Sequence, residues 1–366
     1  MAAQQQMTQA QLIQQDAMLS AMLIQNSTEY YVRMSPVTAT ALGQALNIPL
    51  PNSGIMLSCD LHVQINMNIT AAATANPIGA YGAVTNVSTY DWYGNVRSSV
   101  SASRLNSLNA YRQGRPYNKV PSSENGDTAG LLYNLPTAIA NGVNLDFELH
   151  VPFAQGGGSL AGALLTQTSN GTCSINVQTI AALVSGTNPH APYSAGTIVV
   201  NSITVTPTFR YLMPVTFAPT TLPLLSLSTA YSVQEIRSPE NLTVGAQNLT
   251  NFPAARTVWS QILDYVNGTA TNFGSDITSL ATIINGATPL KYWSPHDKLI
   301  EQRNLLGADD IPGRYYFPFR SRPINTNTFG SYQLQVVPST VNASAHLVVA
   351  SEMSYPMGVP LPGLSV

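Results

Sequence analysis

The residues best able to move a proton or hold a metal in this chain are its five histidines, His62, His150, His190, His296 and His346. They stand apart in sequence, and no H-E-x-x-H pair sets two of them on one helical face. Glu148 and His150 come nearest to a metal set, two residues apart on a strand. Nucleotide chemistry finds no better footing, because no G-x-x-x-x-G-K-[ST] loop is present. Gly156, Gly158 and Ala161 imitate the G-x-G-x-x-A of a dinucleotide site. The acid that should hold the ribose ~20 residues later is missing, since nothing acidic separates Glu148 from Glu235. Gly157, Ser159 and Ala161 miss the nucleophile elbow G-x-S-x-G by one residue. Cys59 and Cys173 make neither a disulfide framework nor a zinc site, and are expected as two reduced, buried thiols. The sequence therefore points to no catalytic residue, cofactor or metal.

Charge is the other resource for chemistry, and it is scarce. Only 9% of residues are charged, against about 25% in an ordinary domain. The net charge of −2 gives no overall attraction to nucleic acid. Arg97, Arg104, Arg112, Arg115 and Lys119 form a basic run with no acid between Asp91 and Glu124. No aromatic stacking platform repeats with them, so contact with a neighbouring subunit is expected rather than a nucleic-acid patch. From Leu149 to Phe209 no Asp, Glu, Lys or Arg occurs, yet polar residues are too frequent for a membrane helix. Burial against other copies of the chain explains such a stretch, since obligate interfaces resemble a core cut in half.

Strands must position most of these residues. Ile55 to Thr70 alternates, with Leu57, Cys59, Leu61, Val63, Ile65, Met67 and Ile69 on one face and His62 on the other. Val143–Phe153, Cys173–Val177 and Thr197–Phe209 read as further strands. Three more run near Arg314–Phe319, Ser331–Val337 and Ala345–Met353, and need partners upstream, which Leu224–Tyr231 can supply. Helices are expected at Val96–Gln113, Pro253–Asn267 and Ser275–Asn285, and from Ser294-Pro295 to Gly307. The Gln-rich start, Met1 to Gln25, reads as a helix with a broad apolar face including Leu12, Ile13, Met18, Leu19, Met22 and Leu23. It lacks the basic residues of a signal peptide and the length of a membrane span. Proline-rich Met213–Pro223 marks a linker. The predicted organisation is an arm over 1–28, a first domain over 29–216, a linker over 217–223 and a second domain over 224–366. Both domains close alike, Val199-Val200-Asn201-Ser202 leading to Met213-Pro214 and Val348-Val349-Ala350-Ser351 to Tyr355-Pro356.

One resemblance runs through most of the chain. Gly313, Tyr315, Tyr316, Pro323 and Ile324, then Pro338, Thr340, Val341, Asn342, Ala345 and Leu347, resemble the carboxy-terminal strands of the major capsid proteins of tectiviruses, tailless bacteriophages with an internal membrane. Leu227-Ser228-Thr229-x-Tyr231, Val151-Pro152, Leu160-x-Gly162-Ala163 and Tyr90-Asp91 extend it. The resemblance implies a mainly β fold of two tandem eight-stranded jelly-roll sandwiches, with an N-terminal helix and inserted helices. It also implies a homotrimeric, pseudo-hexameric capsomer tiling an icosahedral shell. Its partners would be its own copies, other capsid proteins such as vertex proteins, and the surface of an internal membrane, with no specific nucleic acid. The chain would then be a virion capsid component assembled in the host cytoplasm, its apolar arm meeting lattice or membrane.

Two other classes share parts of this pattern. A bicupin metalloenzyme also has two jelly rolls, but would need a fuller His and Glu cluster than Glu148 and His150. A carbohydrate-binding β-sandwich would explain polar aromatic loops such as Tyr90–Tyr93, but would be expected to carry a secretion signal.

Overall fold

Alternation of apolar and polar residues builds the longest strands. In the 21-residue β4 (Ile55–Ala75), Cys59, Leu61, Val63, Ile65, Met67 and Ile69 are fully buried on one face, as the odd-numbered pattern requires. The structure is a computed structural model that describes residues 18, 20–52, 54–91, 94–114, 135–156, 160–165, 173–188, 190–214, 229–238, 242–267, 276–292, 294–307, 310–311, 313–321, 323–326 and 331–356.

Beside β4 in the first half lie β1 (Ser27–Arg33), β2 (Val37–Ala39), β3 (Ala45–Pro49), β5 (Val84–Tyr90), β6 (Val96–Val100), β7 (Ala140–Pro152), β8 (Leu164–Leu165), β9 (Ser174–Thr179) and β10 (Tyr193–Pro214). The sheet β1-β10-β4-β7 faces β3-β9-β5-β6, and Phe147, Leu149, Ile175, Val177, Val205 and Phe209 join the β4 stripe in the core between them. The second half holds β11 (Thr229–Arg237), β12 (Gln247–Leu249), β13 (Thr257–Val266), β14 (Ile277–Ile284), β15 (Ala287–Tyr292), β16 (Arg314–Pro318), β17 (Ile324–Asn325), β18 (Tyr332–Pro338) and β19 (His346–Pro356). Here β11-β19-β13-β16 faces β12-β18-β14-β15 over a core with Leu263, Tyr265, Tyr315, Phe317, Leu334, Val336, Leu347 and Val349.

Apart from the short β2, β8 and β17, the described residues of each half contain the same eight strands in the same order. The first, eighth, third and sixth form one sheet; the second, seventh, fourth and fifth form the other. This is the jelly-roll order, used twice. The faint repeat in sequence falls on β10 and β19, which are both eighth strands.

In each half the first strand begins opposite the end of the eighth, Ser27 facing Pro214 and Thr229 facing Pro356. The Gly162 N–H donates to the Thr229 carbonyl at 2.7 Å and that of Phe153 to Leu57 at 2.9 Å, while Ile55 lies opposite Leu212. Both sandwiches therefore open at the same end of the molecule. They are joined into one nine-stranded sheet where β11 meets β6 in parallel, Gln234 opposite Ser99.

Two helices pack against this joint, α1 (Ala102–Gln113) and α2 (Pro295–Leu306). The predicted helix over Val96–Gln113 divides: its first five residues are β6, and only after Ser101 does the chain coil, ending at Gly114 with φ +64°. The helices expected at Pro253–Asn267 and Ser275–Asn285 are strands β13 and β14. Each has its core face on the second sandwich, and β13 also buries its other face against the first half, so apolar residues are too dense to show a period of two. The third is a helix as read, with the Ser294 side chain accepting from the His296 N–H at 3.1 Å, Pro295 in the first turn and Gly307 at φ +69°. Ser294→Ala should lower stability by about 1 kcal/mol in urea unfolding; an unchanged midpoint would show that the cap contributes nothing. Residues 217–223 and 224–228, assigned to the linker and to the start of a strand, lie outside the described residues, and β11 is described from Thr229.

Candidate functional site

Most of the buried charge among the described residues converges on the seam between the sandwiches. α1 leaves β6 of the first half and runs across the second, so it is buried on nearly every side from Ala102 to Tyr111. A helix so enclosed would have no use for arginine unless each guanidinium met a partner. Arg104 donates from Nε to Asp264 Oδ2 on β13 at 2.7 Å and from Nη1 to Glu235 Oε2 on β11 at 3.0 Å. Asp264 also takes a two-pronged contact from Arg314 of β16, at 2.9 and 3.0 Å. Arg314 Nη1 then returns to the first half, donating to the Ser103 carbonyl and to the hydroxyls of Ser103 and Ser107. Burial alone would raise the Asp264 carboxyl; Arg314 and Arg104 outweigh it and hold the group far below the usual carboxylate range.

A second cluster lies two turns along the helix. Arg112 Nη2 donates to Glu352 Oε1 of β19 at 3.0 Å, to the Tyr231 hydroxyl at 3.0 Å and to the Gln155 carbonyl at 2.6 Å. The hydroxyls of Tyr231 and Ser260 and the Arg320 guanidinium complete the shell of Glu352. Burial pushes Glu352 up, but Arg112 and Arg320 bring it below its ordinary value. Between the two clusters Tyr111 stacks on Tyr316, ring centroids 4.0 Å apart. Gln302 of α2 donates to the Tyr111 hydroxyl at 2.8 Å and accepts from the Tyr316 N–H. Arg97 of β6 donates to the Gly162 carbonyl at 3.1 Å.

Sequence reasoning placed Arg97, Arg104 and Arg112 at contacts between subunits. Arg97 and Arg104 are 4% and 5% exposed, and all three bind groups of their own chain, Arg104 and Arg112 carboxylates of the second half. The expectation is corrected for these three, because a buried guanidinium bound within one chain is not available to another copy. Arg115 lies outside the described residues. The carboxylate partners were missed because they stand 131 to 240 residues away in sequence.

Of the arm, Met18 and Met22 are exposed, whereas Leu23 turns into its own fold. Leu12, Ile13 and Leu19 lie outside the described residues. Tyr30, Tyr31 and Met34 add further exposed apolar surface on and just after β1, an edge strand. Both thiols are buried and unpaired, and burial pushes Cys173 up to about 11, so it stays protonated at neutral pH. His150 meets Asp60 at 2.6 Å and His62 meets Asp146 at 3.4 Å, but no group of three metal-ligating side chains converges among the described residues.

The seam is thus a joint made of buried charge, and nothing in it resembles a reaction centre. The family described as P3 major capsid protein C-terminal matches residues 228–356. Major capsid protein P3 of Enterobacteria phage PRD1 is 26% identical over 302 residues, covering 78% of this chain and 76% of the relative. These matches and the fold together support a P3-like major capsid protein of the double jelly-roll type. The solved structure of the STIV MCP has the same fold, with a TM-score of 0.67 at 14% identity, covering 90% of this chain and 97% of that one. The PBCV-1 virus capsid follows with a TM-score of 0.59 at 10% identity, covering 91% and 95%. As a capsid protein it is a structural component of the virion and not an enzyme. The strands from Gly313 to Leu347 that carried the sequence resemblance lie within the matched residues.

Proposed function

We propose that this capsid protein forms a homotrimer whose six sandwiches give a pseudo-hexagonal capsomer, and that the capsomers tile an icosahedral shell over an internal membrane. The observation that carries this reading is the jelly-roll strand order used twice in one chain, both copies opening at the same end. Three such chains present six like towers around a three-fold axis, and the two halves differ enough in sequence to offer unlike edges to neighbours. We assign residues 1–28 to an arm, 29–216 to the first jelly roll, 217–223 to the linker and 224–366 to the second. The arm leaves from the end where both sandwiches open, and its exposed Met18 and Met22 suit an apolar contact there. Leu12, Ile13 and Leu19 would extend that face toward membrane or lattice neighbours. The charge-free residues from 149 to 209, including exposed Val199, suit contacts between copies, and vertex proteins would meet the remaining edges.

Native mass measurement of the purified chain tests the oligomer: a trimer is expected, and a strict monomer across concentration and salt would overturn the reading. Deleting residues 1–25 should leave the trimer intact and impair assembly on membrane. Normal assembly without them would remove the arm from this role.

A further inference from the structure

The sheet β1-β10-β4-β7 has two edges, and the fold treats them differently. Along an antiparallel strand the backbone groups point alternately toward the partner and away from it. On β7 the even-numbered residues turn away from β4, and two of their carbonyls are capped: Asn109 Nδ2 donates to that of His150 at 2.7 Å, and the Tyr81 hydroxyl to that of Glu148 at 3.1 Å. The β1 edge has no such cover. The Met34 N–H donates to the Pro207 carbonyl at 3.0 Å, so even-numbered residues bond to β10 while Glu29, Tyr31 and Arg33 turn their N–H and C=O groups outward. The strand is exposed from Thr28 to Tyr31 and again at Arg33, contains no proline, and has no strand beyond it among the described residues. An open edge of this kind is a template for another strand.

The residues of β1 also select the strand that fits. Its odd-numbered side chains share one face, where the Tyr31 hydroxyl bonds to Glu29 and the Arg210 guanidinium grips the same carboxylate at 2.6 and 3.1 Å. Arg33, next on that face, has no ion pair among the described residues. The even-numbered face is largely apolar, with Tyr30 stacked on Tyr211 at 5.6 Å between ring centroids, then Val32 and exposed Met34. A second β1 laid antiparallel against the first, Tyr31 opposite Tyr31, brings outward backbone groups to outward backbone groups. Glu29 of each strand then stands opposite Arg33 of the other. On the other face Tyr30 meets Val32 and Thr28 meets Met34. Sliding by two residues sets Tyr31 against a charge, and sliding by four sets Glu29 against Glu29 or Arg33 against Arg33. Only the register centred on Tyr31 pairs unlike charges directly.

We infer that β1 is a docking edge for a second copy of this chain, the two strands pairing across a two-fold axis at Tyr31. The pairing adds about six ladder bonds and two Glu29–Arg33 contacts. An ionised carboxylate has acceptor sites enough for Arg210 and the second copy's guanidinium together. The contact is isologous, each copy giving the same strand. A two-fold pair cannot close a three-fold ring, so in the trimer proposed above this edge joins one capsomer to the next; the pairing itself does not depend on that trimer. One short strand on another falls short of the ~1,200–2,000 Å² that a stable interface buries in total. A single contact is therefore weak, and it gains strength by repetition across a shell.

Disulfide trapping in the purified full-length chain, with diamide as oxidant, tests this. In the stated register the two Tyr31 Cα atoms stand about 5.5 Å apart, within the disulfide range of about 4.4–6.8 Å. The two Arg33 Cα atoms are separated by four residues of strand, about 14 Å. Tyr31→Cys should therefore give a covalent dimer on a denaturing gel, and Arg33→Cys, also exposed on the edge, should give it about tenfold more slowly or not at all. Cys59 and Cys173 are buried and add no background. Arg33→Glu in the Y31C background sets Glu against Glu29 and should slow trapping about tenfold. That variant should melt like Y31C itself, because Arg33 has no ion pair within its own chain. Absence of the Y31C dimer would overturn the inference. Trapping of R33C as fast as Y31C would overturn it too, by showing random collision, as would trapping that R33E leaves unchanged. A trimer by native mass that yields no Y31C dimer would sink this contact and leave the capsomer standing; a dimer trapped from a monomeric chain would do the reverse.

Discussion

Replacing Asp264 by asparagine is expected to destabilise the folded chain by about 3–5 kcal/mol, the cost of leaving a buried charge without its partner. Asn has nearly the shape of Asp, so the loss would come from charge and not from a cavity. Two guanidinium groups, Arg104 and Arg314, converge on this one carboxylate, and both are almost wholly buried. Glu235 reaches only Arg104, so it cannot neutralise both. The pH dependence should change with the mutation. The Asp264 carboxyl is depressed in the folded chain, so its contribution is complete above the unfolded value of about 3.9 and is lost as pH falls below it. Glu352, also depressed, acts in the same direction. Asp310 is raised, chiefly by burial, and opposes them, favouring the folded state at low pH. Urea unfolding should therefore show the wild type losing stability in acid, with D264N weaker at neutral pH and flatter below pH ~4. Equal stability at neutral pH would mean that the Arg104 and Arg314 charges are solvated after all.

The second large effect is expected at Gly162, where Gly162→Ala should cost about 3 kcal/mol or more. A Cβ built there would lie 2.2 Å from Tyr231 Cβ, 2.4 Å from the Phe153 carbonyl oxygen and 2.8 Å from the Tyr231 nitrogen. None of these atoms is the far end of a flexible side chain, and φ is +88°, a region alanine rarely adopts. The collision is also placed where the two halves meet, since Gly162 N–H holds Thr229 and its carbonyl holds Arg97. Gly307→Ala serves as the comparison, because φ is +69° there but nothing lies within 4 Å. The G162A midpoint in urea should fall well below that of G307A. Equal losses would mean that only backbone strain is at work and that the close approach is absorbed.

How far the fold could be read from sequence depended on whether a strand has a wet side. β4 alternates cleanly because its even-numbered face carries His62, Gln64 and Asn66 toward solvent, and the same holds for Tyr332–Pro338. β13 has no such side. Its Leu263 and Tyr265 enter the second core, while Ser260, Gln261 and Asp264 are buried too, among Glu352, Ser351 and the seam arginines. Val258, Ile262, Leu263 and Val266 then fall at helical spacing by coincidence. The arginines were misjudged for a related reason. A run of like charges on a helix reads as a surface, and only the folded chain brings Asp264 and Glu352 to it from far along the sequence. Local punctuation was more reliable, as at Ser294-Pro295 and Gly307, because caps act within one turn.

The parallel seam between β6 and β11 also has a mechanical consequence. With one nine-stranded sheet passing through both towers and two ion clusters locked behind it, shear between the halves would have to break ladder bonds and separate buried charges together. Each chain should therefore respond to load as a stiff block. In a shell of such blocks, internal pressure and curvature are taken up as small rotations where one block meets the next, and compliance becomes a property of the contacts between copies.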